Sequence, residues 1–181
     1  MSAKEFYPEK VVKYCPVCGA SGFSFDGIKK FACLQCSFVR YVNPTCGVMA
    51  IIKNKIDEIL MVKRAQDPGK WDLDLPWWFV DIGETAEKAL IREVEEELNL
   101  EVVNLKFFWS FPNEYLYKGI VYFPLDFVFE CEVKTFDGIF AKDDVNSYVF
   151  VKAKDINLNN FVSKSCPNVI NEYIKKQNIN S

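Results

Sequence analysis

Two Cys-x-x-Cys pairs, Cys15-Pro-Val-Cys18 and Cys33-Leu-Gln-Cys36, stand fourteen residues apart and constrain the front of this chain more than any other feature. The chain has no histidine, so a tetrahedral metal centre here must be built from sulfur or oxygen. Paired thiols at this spacing fit a zinc ribbon, in which two tight turns each present two sulfurs to one ion, better than a redox pair or four separate buried thiols. Gly19 follows the first pair, where a tight turn lets backbone amides approach the sulfurs. The stretch 21–32 alternates polar and apolar residues around Asp26-Gly27, as a short hairpin does. Cys15, Cys18, Cys33 and Cys36 are therefore expected to hold a structural zinc, because four sulfurs close the shell and leave no open position for substrate. The remaining three of the seven cysteines, Cys46, Cys131 and Cys166, lie in or beside apolar stretches and read as small core residues.

The rest of the chain supports one main core. At 181 residues it is long enough for a well-cored domain plus a small appendage. Half the residues are hydrophobic and 26% are charged, a folded rather than a disordered composition. No apolar run reaches membrane-spanning length, and the odd cysteine count with metal-type spacing favours a reducing compartment, so a soluble cytoplasmic protein is expected. Residues 1–45 carry six Lys/Arg against three acids, a charge of +3, while the remainder carries 16 against 22, a charge of −6. Four zinc-bound thiolates would lower the N-terminal excess further, so a nucleic-acid partner is disfavoured.

The cysteine-rich beginning ends near Tyr41-Val42-Asn43-Pro44, which divides the chain into 1–43 and 44–181. Beyond it, 47–53 and 58–64 read as a hairpin, 84–98 as a glutamate-rich helix, and 102–109, 121–133 and 148–153 as strands. A terminal helix follows with Pro167 in its first turn. Interleaved strands and helices call for a mixed sheet covered by helices, an α/β architecture.

The helical segment carries the chemistry. On a helical wheel Ala86, Leu90, Ile91, Val94 and Leu98 form an apolar arc, and Glu97 falls inside it. Glu93 and Glu96 lie at or just beyond its edge, and Glu93 and Glu97 are one turn apart. Two like charges on a partly desolvated face are unfavourable unless something positive sits between them. A single arginine is a poor match for three carboxylates, whereas hard divalent cations bound through oxygen suit them, and magnesium suits a site that also binds phosphate.

This pattern resembles the signature of the Nudix family: Gly, five residues, Glu, seven residues, Arg-Glu, an apolar residue, any residue, Glu-Glu, any residue, Gly, an apolar residue. Trp78 stands at the first Gly, Glu84 at the first Glu, Arg92-Glu93 at the Arg-Glu, Val94 at the apolar position, Glu96-Glu97 at the pair, Asn99 at the second Gly and Leu100 at the end. The lead-in 73–81, Leu-Asp-Leu-Pro-Trp-Trp-Phe-Val-Asp, is similar to the family's Leu-Pro-Gly-Gly-Phe-Val-Glu. The ribbon running into Asn43-Pro44 resembles the zinc-containing NADH pyrophosphatase branch. The resemblance implies an α/β/α sandwich behind a zinc ribbon, and hydrolysis of a diphosphate bond in a nucleoside diphosphate linked to another moiety, such as ADP-ribose or NAD(H). It implies Glu93, Glu96 and Glu97 as ligands of Mg2+ or Mn2+, and an Arg92–Glu84 ion pair orienting loop and helix. With histidine absent, a carboxylate has to serve as general base. Glu93 is the first choice, with Asp143, Asp144 or Glu114 as alternatives.

Two glycines of the pattern are absent. Asn99 is a mild replacement, since a residue just past a helix end adopts a left-handed conformation that Asn tolerates. Trp77-Trp78 in place of Gly-Gly implies either indoles swung over the cleft mouth to stack on a base or a strained loop, with the strained loop preferred. A catalytically impaired nucleotide-binding module is thus the alternative to an active enzyme, and a zinc-ribbon nucleic-acid adaptor a further one. Trp78, Glu114, Tyr115 and Tyr117 are candidate substrate-binding residues, offering stacking faces beside polar groups. Phe107, Trp109 and Phe111 alternate as one strand face and also read as core. The oligomeric state is left open, a homodimer included.

Overall fold

A computed structural model describes residues 3–65, 67, 70–140, 145–159, 161 and 163–179. In chain order the first six strands are β1 (Phe23–Phe25), β2 (Lys30–Cys33), β3 (Val39–Tyr41), β4 (Thr45–Ile52), β5 (Glu58–Arg64) and β6 (Leu73–Asp74). The other six are β7 (Trp77–Phe79), β8 (Val102–Pro112), β9 (Tyr115–Tyr117), β10 (Ile120–Tyr122), β11 (Pro124–Val133) and β12 (Val145–Lys152). The α-helices are α1 (Pro8–Val11), α2 (Ala86–Leu98) and α3 (Cys166–Ile179). The chain forms two compact units, Met1–Thr45 with Glu114–Phe123, and Cys46–Asn113 with Pro124–Ser181. The division therefore differs from a single cut at 43/44, because the segment Glu114–Phe123 joins the N-terminal unit.

The N-terminal unit is built on the three-stranded antiparallel sheet β1-β2-β3. Asp26-Gly27 closes the β1–β2 hairpin as the sequence suggests. Gly27 takes φ +85°, and Asp26 Oδ1 accepts hydrogen bonds from the amides of Ile28, Lys29 and Lys30 at 2.9, 2.9 and 3.1 Å. Those three bonds hold the Asp26 carboxyl below its ordinary range. Cys15, Phe23, Phe31 and Cys33 make a small core, with the Phe23 and Phe31 rings stacked 5.1 Å apart. The hairpin β9–β10 completes this unit, turning at Lys118-Gly119, where both residues have positive φ.

The larger unit contains the sheet β7-β4-β11-β8, a second sheet β12-β5-β6, and helices α2 and α3. Its central strand β4 is apolar along both faces, and the period-two alternation sorts its side chains into two cores. Val48, Ala50 and Ile52 join Leu90, Val94 and Leu98 of α2. Met49 and Ile51 join Val169, Ile170 and Tyr173 of α3. Each large side chain fully buried in this way contributes about 1.5–3 kcal/mol of transfer free energy. The result is a mixed α/β domain with sheets between two helices, as expected from the sequence.

Some elements differ from the sequence reading. The stretch 121–133 is not one strand, because the chain breaks between Tyr122 and Pro124 and its two parts belong to different units. Phe107, Trp109 and Phe111 do not share a buried face. A bulge opposite Val128/Phe129 inserts Phe108, so Phe108 and Phe111 are buried while Phe107 and Trp109 are exposed. Cys131 and Cys166 are buried as expected, but Cys46 is exposed. On α2, Ile91 is exposed and Ala89 takes its place in the core. Among the described residues, no helix is long and apolar enough to cross a membrane.

Candidate active site

Helix α2 is defined at both ends by side chains. Thr85 caps its start, its hydroxyl accepting from the Lys88 amide at 3.3 Å. Asn99 ends it in the left-handed conformation, φ 54° and ψ 40°, the role in which Asn substitutes for Gly. Between these caps the apolar residues anchor one face, and the carboxylates are carried to its border. Glu97 is only 7% exposed, and Glu93 is half-buried, while Glu96 is exposed. The sequence-derived ordering of these three on the wheel therefore holds in space.

Arg92 organises the acidic groups. Its Nε and Nη2 donate to Glu84 Oε1 and Oε2 at 3.0 and 2.9 Å, a bidentate fork. Its Nη1 donates to Glu93 Oε1 at 2.8 Å and to Glu96 Oε2 at 3.2 Å. Asp81 Oδ2 lies 3.6 Å from Nη2 and was not assigned a role by the sequence reading. The fork holds the Glu84 carboxyl below its ordinary range. Burial pushes the Glu93 carboxyl above its own, against the lowering effect of Arg92. Glu84 also accepts from the Asp81 amide at 3.3 Å, so one arginine ties the loop before α2 to the helix. One arginine thus reaches four acids, more than expected of a single cation. The oxygen donors Glu93, Glu96 and Glu97 are the hard ligands that a divalent cation such as magnesium takes. Among the described residues, however, only the four ribbon thiols have ligand atoms already gathered within 4.8 Å.

The tryptophan pair follows neither route foreseen from the sequence. Trp77 and Trp78 lie in β7, which pairs antiparallel with β4 through Met49–Trp77, Val48–Trp78 and Gly47–Phe79. The backbone is extended, so no left-handed residue is forced on an indole. Trp78, a candidate substrate-binding residue from the sequence, is 7% exposed and packs in the α2 core beside Leu90 and Val94. Trp77 points to the opposite face, where its Nε1 donates to Asp126 Oδ1 at 2.7 Å and its ring meets Phe79 edge-on at 4.7 Å. Gly47 vacates the space this indole needs, since a Cβ there would stand 2.7 Å from Trp77 Nε1. Asp126 is fully buried and also accepts from Ser165 Oγ at 2.6 Å and Asn113 Nδ2 at 2.9 Å. Sequence reasoning missed this network; its one signal was an aspartate inside the apolar run of 124–131.

The ribbon cysteines converge as their spacing demands. Cys15 Sγ lies 3.7 Å from Cys36 Sγ, and Cys18 Sγ 3.6 Å from Cys33 Sγ. Zinc–sulfur bonds of about 2.3 Å in a tetrahedron give sulfur–sulfur edges of about 3.8 Å, so these separations fit one ion between the four thiols. Gly19 makes the first turn with φ +72°, its amide donating to Cys15 O at 2.9 Å. Backbone amides of Cys36 and Gln35 draw the Cys33 thiol down to about 6.

Glu114, Tyr115 and Tyr117 belong to the N-terminal unit. Tyr7 donates to Glu114 Oε1 at 3.0 Å, and the Tyr115 and Tyr117 rings stack 6.0 Å apart. Asp143 and Asp144 lie outside the described residues.

Comparison with known proteins agrees with this geometry. The sequence matches the NUDIX domain over residues 44–165. The chain is 35% identical over 107 residues to an NAD-capped RNA hydrolase, NudC, of Photobacterium profundum, covering 55% of this chain and 38% of that protein. It is 43% identical over 60 residues to an ADP-ribose pyrophosphatase of Methanocaldococcus jannaschii, covering 33% and 35%. The matched region thus spans less than half the length of these relatives. Among solved structures, a Nudix hydrolase from Nitrosomonas europaea superposes with a TM-score of 0.67 at 20% identity, covering 92% of both chains. The NUDIX domain of Shewanella oneidensis NrtR, solved with ADP ribose, superposes with a TM-score of 0.60 at 13% identity, covering 75% of this chain and 89% of that one. With Glu84, Glu93 and Glu96 gathered around Arg92 at a capped helix, and the NUDIX domain matched over residues 44–165, this chain belongs to the Nudix family.

Proposed function

We propose that the chain hydrolyses a diphosphate bond in a nucleoside diphosphate linked to a second moiety, ADP-ribose or NAD(H) being the substrate types, with magnesium or manganese as cofactor. The observation that carries this reading is the acidic face of α2, on which Arg92 is forked to Glu84 while Glu93 and Glu96 border the buried Glu97. The relatives named above, one an ADP-ribose pyrophosphatase and one an NAD-capped RNA hydrolase, support the substrate class.

Glu93, Glu96 and Glu97 would hold the divalent cation, which when bound would neutralise diphosphate charge and lower the pKa of an attacking water. Glu93 accepts the proton of that water. Arg92, anchored by Glu84, keeps the preceding loop in register with the helix and limits repulsion among the acids. Cys15, Cys18, Cys33 and Cys36 hold a structural zinc outside the chemistry.

Incubating the protein with ADP-ribose, NADH, a nucleotide sugar and a capped RNA, each with and without magnesium, tests the proposal. Metal-dependent release of a nucleoside monophosphate from at least one of them is expected. Saturable binding of these compounds without turnover in either metal would overturn it in favour of a binding module.

A further inference from the structure

We infer that the N-terminal unit carries its own binding site for a nucleoside monophosphate, in a cleft between the ribbon and the β9–β10 hairpin. The cleft lies wholly within that unit and encloses about 160 Å³. An apolar cavity of about 150 Å³ accepts a benzene-sized ring, so a space of this size takes a planar heteroaromatic base. Its floor includes the buried Phe31 and Val121, and its rim carries Arg40, Tyr41, Asn43 and Tyr122.

Two features select the guest. Among the described residues the Arg40 guanidinium has no hydrogen-bond or ion-pair partner, so it is available to an anion. Among the described residues no acidic side chain lines the cleft, while two tyrosines and Asn43 offer stacking faces and an amide able to pair with a base edge. A ring with hydrogen-bonding edges, joined to a phosphate, satisfies the cavity, the cation and the polar wall together. The cleft shares no residue with α2, and the inference does not depend on the hydrolase reading.

The test is an amide NMR titration of the full 15N-labelled chain with AMP in the absence of added magnesium, with adenosine, ribose 5-phosphate and a short oligoadenylate as parallel arms. Saturable shifts confined to residues 39–45 and 120–123 are expected, with adenosine binding about tenfold more weakly than AMP. Arg40→Ala should weaken AMP about tenfold and leave adenosine unchanged. Tighter binding of the oligoadenylate than of AMP would identify the site's source as a nucleotide chain, and equal binding as free nucleotide; both uphold the inference. Shifts confined to 81–97, equal affinity of Arg40→Ala and parent for AMP, or no saturation at millimolar AMP would overturn it.

Discussion

Replacing Gly47 by alanine tests how β7 accommodates its tryptophans. The added Cβ would meet Asp126 Oδ1 and would stand 2.7 Å from Nε1 and 3.1 Å from Cε2 of Trp77. Neither neighbour is free to yield. Asp126 is fully buried and accepts from Trp77, Ser165 and Asn113, and the indole is braced by Phe79. Overpacking of this kind costs about 1–3 kcal/mol, and weakening a hydrogen bond to a carboxylate costs about 1.5–3 kcal/mol. The two effects share atoms and do not add in full, so Gly47→Ala should destabilise the larger unit by about 2–4 kcal/mol. All four tryptophans lie in that unit, so urea unfolding followed by indole fluorescence reads its stability directly. In a Trp77→Phe background the phenyl ring removes the Nε1 contact and frees Asp126 Oδ1 to turn, and the alanine penalty should fall below about 1 kcal/mol. A penalty below about 1 kcal/mol in the parent, or one unchanged by Trp77→Phe, would refute the account of Gly47 as the space for the indole.

Glu93→Gln and Glu97→Gln should each lower metal-dependent hydrolysis by about 100-fold or more while leaving the urea midpoint nearly unchanged; full activity in either variant, or in excess chelator, contradicts the assignment. Asp74 is buried, and desolvation pushes its carboxyl up to about 6 against the pull of Arg64 Nη1 4.0 Å away. A raised carboxyl means the folded state binds more protons, so its contribution is fully present below about pH 4 and is lost as the pH rises through about 6. Asp74→Asn should therefore gain about 2–3 kcal/mol relative to the parent on going from pH 4.5 to pH 7.5, and a pH-independent difference rules this out. Elemental analysis is expected to find one zinc per chain, lost with Cys15→Ser or Cys33→Ser; a zinc-free protein with native ribbon signals in NMR would exclude the metal.

Much of the site is legible in the sequence because it is local. The glutamates and Arg92 sit within six residues of one helix, so the 3.6-residue period alone fixes which of them share a face. The same holds for Asn99, whose left-handed cap follows from its place after the last apolar residue. What the sequence does not reveal is non-local. Nothing near Glu114–Phe123 says that this segment joins the ribbon's unit, because that choice rests on partners such as Tyr7, 107 residues away. The bulge at Phe108 is invisible in an apolar run whose register is set by β11. Cys46 sits at the start of a buried strand, and burial begins only one residue later.

The tryptophan pair shows how a family pattern misleads when it is read one strand at a time. Glycine at 77 and 78 would allow positive φ, and from the sequence alone its loss looks like backbone strain. In space the need for a small residue has moved across the sheet to Gly47, the neighbour that the Trp77 side chain covers. The indole then takes up a polar task as donor to the buried Asp126, and Trp78 takes up an apolar one in the α2 core. The backbone of β7 remains an ordinary strand leading into the Asp81–Glu84 loop, and Glu84 still reaches Arg92 through both carboxylate oxygens. The substitution therefore leaves the Arg92–Glu84 fork on α2 intact and makes Gly47, not the tryptophans, the residue whose change should be felt most sharply.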